Sequence, residues 1–263
     1  TGRTEFIEKY AHIATDLHAA GYAVATLDWR GQGLSDRLID SAYRGHVGAF
    51  SDYQKDVKVL LETVASEGMP TPFALVAHSM GGCIGLRSLL DGLPVKGAVF
   101  SAPMWGIIIP AALRPIASCL ARMAVAFGFG KKRAPTTSER SFILNDPFEG
   151  NTLTRDAAMW QLMKDQVRAV PELELGGPSF DWVRLAIDEC DALVRAPAPD
   201  LPVLTFLGDH ERIVEPKVVR AKMNNWPKGQ LTIIKDGEHE GFMESPEKRA
   251  AMSKDMIAFL KTL

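Results

Sequence analysis

Cysteine is scarce, three residues in 263. An odd and small number cannot build a disulfide framework, and it points to a reducing cytoplasm. An excess of either charge is also missing. Thirty Lys and Arg stand against 32 Asp and Glu, a formal net charge of −2. Such a chain has no electrostatic footprint for nucleic acid, so DNA or RNA binding is excluded as its main role. No long clean apolar run occurs. The most apolar stretch, residues 104–130, is broken by Arg114, Arg122 and two prolines, whereas a spanning helix needs about 20 apolar residues in succession. Repeats and low-complexity tracts are absent. What is present is ordinary globular usage, 46% hydrophobic and 24% charged, which excludes disorder.

The pattern that remains alternates helices and buried strands. Phe6, Ile7, Tyr10, Ile13, Ala14 and Leu17 recur at three- and four-residue steps and predict an opening helix, ended by Gly21. Short apolar runs at Tyr22–Leu27, Phe73–Ala77, Val95–Ser101, Val203–Leu207 and Leu231–Ile234 read as strands buried on both faces. Helical patterns lie between them at Tyr53–Glu67 and Cys83–Leu90, and a last one covers Ser245–Leu263. The expectation is an α/β fold, a mostly parallel sheet with helices on both faces. Between Met104 and Leu201 no buried strand is evident, and the segment reads as a helical insertion. The predicted organisation is therefore core at 1–103, cap at 104–201 and core again at 202–263.

The chemistry concentrates at the ends of these strands. Ala77-His78-Ser79-Met80-Gly81 lies between a strand and a helix. Small residues there permit a tight turn that lifts the Ser79 hydroxyl above the sheet, at a helix N-terminus that favours developing negative charge. A serine hydroxyl is a poor nucleophile at neutral pH and needs a base oriented by an acid. Of six histidines, His239 follows the last strand and His210 the one before it. His239 is the preferred base and His210 its rival. His78 neighbours the nucleophile in sequence but should point elsewhere, and His12, His18 and His46 read as surface or structural. The loop Gly208 to Val214 offers two acids, Asp209 and Glu211. Asp28 and Arg30 read as a brace for the Gly-rich loop that holds them, and Cys83 as buried packing. Cys119 and Cys190 lack metal-ligand spacing.

Together these segments resemble the α/β-hydrolase superfamily, and within it the bacterial lysophospholipases and monoacylglycerol lipases. The matching parts are Asp28-Trp29-Arg30-Gly31-Gln32-Gly33-Leu34-Ser35, Ala77-His78-Ser79-Met80-Gly81-Gly82, Ser101-Ala102-Pro103, the Gly208–Val214 loop and His239. The resemblance implies a serine ester hydrolase with Ser79 as nucleophile, His239 as base and Glu211 in the acid slot, with Asp209 as the alternative. It implies an oxyanion hole from the backbone N–H of Met80 and of Arg3, and 104–201 as a substrate cap. Metal and organic cofactors are not required. The implied substrate is a monoacyl lipid, with transient contact to a membrane surface and a cytoplasmic place peripheral to the inner membrane. An aminopeptidase of the same fold, with Glu172, Glu174 or Asp181 binding a substrate amine, is one alternative. A non-catalytic binding protein on the same scaffold is another. Ser79 in place of Asp excludes a haloalkane dehalogenase or epoxide hydrolase. The family places three strands ahead of its first helix. On that reading Thr1 falls within the oxyanion loop of a parent about 40–60 residues longer. The sheet should then show a gap beside the nucleophile strand, and the chain as written should fold poorly and show little activity.

Overall fold

Four parallel strands carry the molecule, β1 (Leu75–His78), β2 (Ala98–Ser101), β3 (Val203–Gly208) and β4 (Gly229–Ile234), hydrogen-bonded in the order β1-β2-β3-β4. The computed structural model describes residues 1–109, 114–135 and 137–263. Register pairs Val76 with Val99, Val99 with Leu204 and Leu204 with Gln230. β2 and β3 are buried along their whole length, as expected where helices cover both faces of a parallel sheet.

One layer contains α2 (Asp52–Ser66), α3 (Met80–Leu90) and α8 (Pro216–Asn224). Ile84, Leu86, Phe100, Val203 and Val219 are buried in the core on this side. The opposite layer contains α1 (Ala11–Ala19), preceded by a 3₁₀ turn at Ile7–Tyr10, and α9 (Pro246–Leu260). Ile13 and Leu17 meet Val99, Phe206, Met252 and Met256 there. Tyr10, Ile13 and Leu17 of the predicted stripe make this contact, whereas Phe6 is extended and packs with Val167 and Leu173.

Between β2 and β3 the chain forms α4 (Arg114–Ala126), α5 (Phe142–Asn145), α6 (Ala157–Ala169) and α7 (Phe180–Arg195). No strand occurs among its described residues; residues 110–113 and 136 lie outside them. Caps define two of these helices. Asp156 accepts from Met159 N at the start of α6, and Ser179 accepts from Trp182 N at the start of α7, each satisfying a donor that the first turn leaves unpaired.

One predicted strand is absent. Tyr22–Leu27 runs without helix or strand pairing, and Ala23 to Thr26 are exposed. A strand exists only through a ladder with a neighbour, and no ladder bonds tie this run to β1. The two flank a groove of about 500 Å³ lined by Val24, Leu27, Leu75 and Ile84. The apolar composition was read correctly, but pairing depends on what lies alongside.

Candidate active site

The turn between β1 and α3 holds Ser79 at φ 50° and ψ −117°, a left-handed conformation that a non-glycine residue adopts only where its surroundings enforce it. Enforcement is visible. Ser79 N donates to Ser101 O at 3.1 Å, and Ser79 O accepts from Met104 N at 2.8 Å. A Cβ on Gly82 would meet Pro103 Cβ at 2.6 Å, so only glycine lets α3 approach this loop so closely. Met80 is the first residue of α3, so its N–H belongs to the helix end that has no intrahelical acceptor.

His239 lies in the loop after β4. Its Nε2 is 2.9 Å from Ser79 Oγ, and its Nδ1 is 2.7 Å from Glu211 Oε2. The two contacts bridge 160 and 28 residues of chain. Nδ1 donates to the carboxylate, which leaves Nε2 to accept from the serine hydroxyl. Glu211 is held through its other oxygen, Oε1, which accepts from Ile213 N at 2.6 Å and Val214 N at 3.0 Å. All three side chains are buried. Gly208 lets the end of β3 reach this loop, since a Cβ there would meet Gly237 O at 2.3 Å.

The electrostatics follow from burial and pairing. Burial opposes a charge on His239, but the Glu211 carboxylate outweighs it and raises the imidazole above its ordinary 6.5. Burial likewise opposes ionisation of Glu211. His239 and the two backbone donors prevail, and the carboxyl lies below its ordinary 4.5. Each shift is that of a charge-assisted pair that favours carboxylate and imidazolium together.

The other acid goes elsewhere. Asp209 accepts from Gly237 N at 3.2 Å and lies 3.9 Å from His210. His210 is 45% exposed and faces Asp209 and Asp236. His46 contacts Ser179 Oγ at 2.9 Å and so braces the cap of α7. Arg30 does not pair with Asp28. It binds Asp56 of α2, with Nη2 at 2.7 Å from Oδ1, while Asp28 accepts from Ile7 N and Leu34 N. Both residues brace the loop, through different partners. Cys83 and Cys190 are buried and Cys119 is exposed.

The segment at Gly2–Arg3 lies beside Ser79, since a Cβ on Gly2 would come within 3.0 Å of Ser79 Cβ. The Arg3 guanidinium extends toward the helical segment between β2 and β3, donating to Gly176 O at 3.0 Å and lying over Trp182 at 5.3 Å. Burial lowers it to about 10. Above Ser79 and His239 is a cavity of about 160 Å³, lined by Phe6, Ile107, Phe142, Ile143, Met163 and Trp182. Trp182 reaches this cavity, while Trp160 packs with Ile143 and Met163. Glu172, Glu174 and Asp181 do not line it. Glu174 is committed to Arg140 through two contacts, at 2.8 and 2.5 Å. Glu5, Lys9 and Glu240 do line it. Sequence reasoning missed these three, because nothing local marks a charged residue in a loop or a short 3₁₀ turn as buried.

Known proteins resemble this chain in sequence and fold. The model of the Hydrolase_4 family, serine aminopeptidase S33, matches residues 1–246. The chain is 28% identical over 261 residues to the probable lysophospholipase L2 of Haemophilus influenzae, covering 98% of this chain and 81% of that protein. It is 29% identical over 280 residues to lysophospholipase L2 of Escherichia coli, covering 98% and 78%. Among solved structures, a monoglyceride lipase from Saccharomyces cerevisiae superposes with a TM-score of 0.73 at 20% identity, covering 99% of this chain and 84% of that one. With a parallel sheet, a serine at the turn after β1 and a histidine after β4, the chain belongs to the Hydrolase_4 family, serine aminopeptidase S33, and is an α/β-hydrolase.

Proposed function

We propose that this enzyme hydrolyses carboxylic esters of monoacyl lipids, a lysophospholipid or a monoacylglycerol, through a covalent acyl-enzyme on Ser79. The observation that carries this reading is the continuous hydrogen-bonded chain Ser79–His239–Glu211 at the floor of an apolar cavity. His239 Nε2 takes the hydroxyl proton as Ser79 Oγ attacks the ester carbonyl. The imidazolium that forms is stabilised by Glu211. The backbone N–H of Met80, and that of Arg3 from the segment beside Ser79, hold the tetrahedral oxyanion, a contribution often of a few kcal/mol per donor. His239 then gives its proton to the leaving alkoxide. Water, deprotonated by the same imidazole, releases the fatty acid.

Substrate class is supported by the names of the lysophospholipase L2 and monoglyceride lipase relatives and by the apolar lining. On this reading 104–201 is a cap over the site. It is tied to the base loop, with His239 N donating to Thr152 O and Glu240 N to Leu153 O. Its α4 carries exposed Ile116, Leu120 and Met123, followed by exposed Phe127. These recur at three- and four-residue steps, so they form one face. Exposed Lys131, Lys132 and Arg133 follow. Apolar residues beside cations suit an anionic lipid surface. No helix among the described residues is long and apolar enough to cross a membrane.

The test is turnover of lysophospholipid, monoacylglycerol and aminoacyl-nitroanilide by the protein and by Ser79→Ala, with fluorophosphonate labelling. Ester cleavage and labelling that both vanish in Ser79→Ala are expected. Preferential cleavage of the nitroanilide would replace the lipase reading by a peptidase one. Lack of labelling would favour a binding protein.

A further inference from the structure

The steps above leave unused a group of charged side chains packed behind the base. Glu5, Lys9, His78 and Glu240 are 4%, 2%, 1% and 4% exposed. Lys9 Nζ lies 2.7 Å from Glu5 Oε1 and 2.6 Å from Glu240 Oε1. His78 Nδ1 meets Ser101 O at 2.9 Å, and its Nε2 faces Glu240 Oε2 at 3.3 Å and Glu5 Oε1 at 3.6 Å. The rings of His78 and His239 are 4.8 Å apart. Glu5 also accepts from Gly2 N and Tyr10 OH. Ligand atoms of Glu5, His78 and Glu240 lie within 4.8 Å of one another, but the Lys9 ammonium already supplies the cation.

A buried ion-paired cluster is a weak source of stability, since well-packed apolar residues do as well or better. Its position is more informative. It links the segment beside Ser79, through Gly2 and Glu5, to the base loop, through Glu240. We propose that Lys9, Glu5 and Glu240 form a charge-balancing and positioning unit for His239, in which the single charge of Lys9 offsets one of the two carboxylate charges that would otherwise both act on the imidazole. This rests on the reading of His239 as general base, a role that requires the neutral ring at working pH.

The charged and titratable groups around His239 come from every side. Glu211 faces it from the loop after β3, Ser79 and His78 from the nucleophile turn, Glu5, Lys9 and Arg3 from the N-terminal segment, and Glu238 and Glu240 from its own loop. Glu238 is engaged by Arg212 at 3.0 Å. After burial and Glu211, the carboxylates of Glu240 and Glu5 are the next influences on the imidazole, and both raise it. Removing Lys9 exposes His239 to two uncompensated negative charges. Removing Glu240 leaves one negative charge already matched by Lys9.

The two substitutions therefore shift the base in opposite directions. In Lys9→Met the acid limb of the kcat/KM profile moves to higher pH, and in Glu240→Gln to lower pH, each by on the order of one unit. The double variant returns toward the parent, and Lys9→Arg keeps the parent limb. A purely structural role would reduce activity in both single variants without opposite shifts. Limbs that stay in place, or move the same way, overturn the proposal. If Lys9→Met does not fold, Glu240→Gln is compared with the double variant. A more alkaline limb in the double supports the proposal, and coincident limbs overturn it. Ser79→Ala separates the two levels. If it keeps turnover, the base reading itself fails. If it is inactive and the limbs do not move, only the cluster proposal fails.

Discussion

Glu211→Gln is the most direct perturbation of the site. The glutamine is isosteric, and its oxygen can still accept from Ile213 N and Val214 N, the contacts that position residue 211 at 2.6 and 3.0 Å. The amide nitrogen then faces His239 Nδ1 at the 2.7 Å position. Two donors cannot share that contact, so the ring takes the tautomer in which Nδ1 accepts and Nε2 carries hydrogen. Nε2 then presents a donor to Ser79 Oγ, 2.9 Å away, and can no longer take its proton. Imidazolium stabilisation is lost in the same step. The expected fall in kcat is about 10⁴-fold, the scale known for the corresponding Asp→Asn change in a serine-protease triad, or about 5 kcal/mol of barrier at 1.36 kcal/mol per decade.

A second readout comes from pH. In the parent, Glu211 holds His239 above 6.5, so activity rises as pH climbs through that raised value. With Glu211 neutralised, burial acts less opposed, and the residual activity has its acid limb at lower pH. The assay is kcat/KM for a p-nitrophenyl ester across pH 5–9, roughly the range in which imidazole titrates, beside Asp209→Asn. Asp209 is 36% exposed and bonded to Gly237, so that variant stays near parent activity. Glu211→Gln within tenfold of the parent, or Asp209→Asn as damaging as Glu211→Gln, would refute the assignment.

Other expectations concern stability and surfaces. Ser179→Ala removes the cap of α7, bonded to Trp182 N at 3.1 Å, and the partner of His46 at 2.9 Å. A loss of about 1–2 kcal/mol should appear as a lower midpoint in urea melts with unchanged slope. Phe127→Glu places a charge just past the end of α4, beside its exposed apolar face, where Phe127 is 72% exposed. Sedimentation with vesicles containing phosphatidylglycerol should show weaker binding, while turnover of a short soluble ester is retained. Equal binding would remove α4 from the lipid contact.

How much was legible depended on the range of the interactions involved. Strands at 98–101 and 203–208 were visible because continuous apolar runs reflect burial on both faces, and that at 75–78 because its run Phe73–Ala77 is apolar; β4 was visible only over Leu231–Ile234 and, contrary to the expectation, leaves Gln230 and Ile233 exposed. Ser79 was visible because a tight strand-to-helix turn demands small neighbours, which are adjacent in the chain. Tyr22–Leu27 was misread because composition cannot reveal whether a partner strand lies alongside. Arg30 was expected to brace its own loop locally and is instead held by Asp56, 26 residues away.

By itself the sequence determined the α/β alternation, the turn that carries Ser79 and the loops that carry His239, Asp209 and Glu211. Those features arise from periodicity and steric demands within a few residues. Only the tertiary structure decided that Glu211, rather than Asp209 two positions earlier, reaches His239. That choice depends on how the loop after β3 turns against the loop after β4. The tertiary structure alone also gathered Glu5, Lys9 and Glu240 into one buried cluster near His239. Glu5 and Glu240 lie more than 200 residues apart, and their charges interact strongly only once folding has removed water from between them.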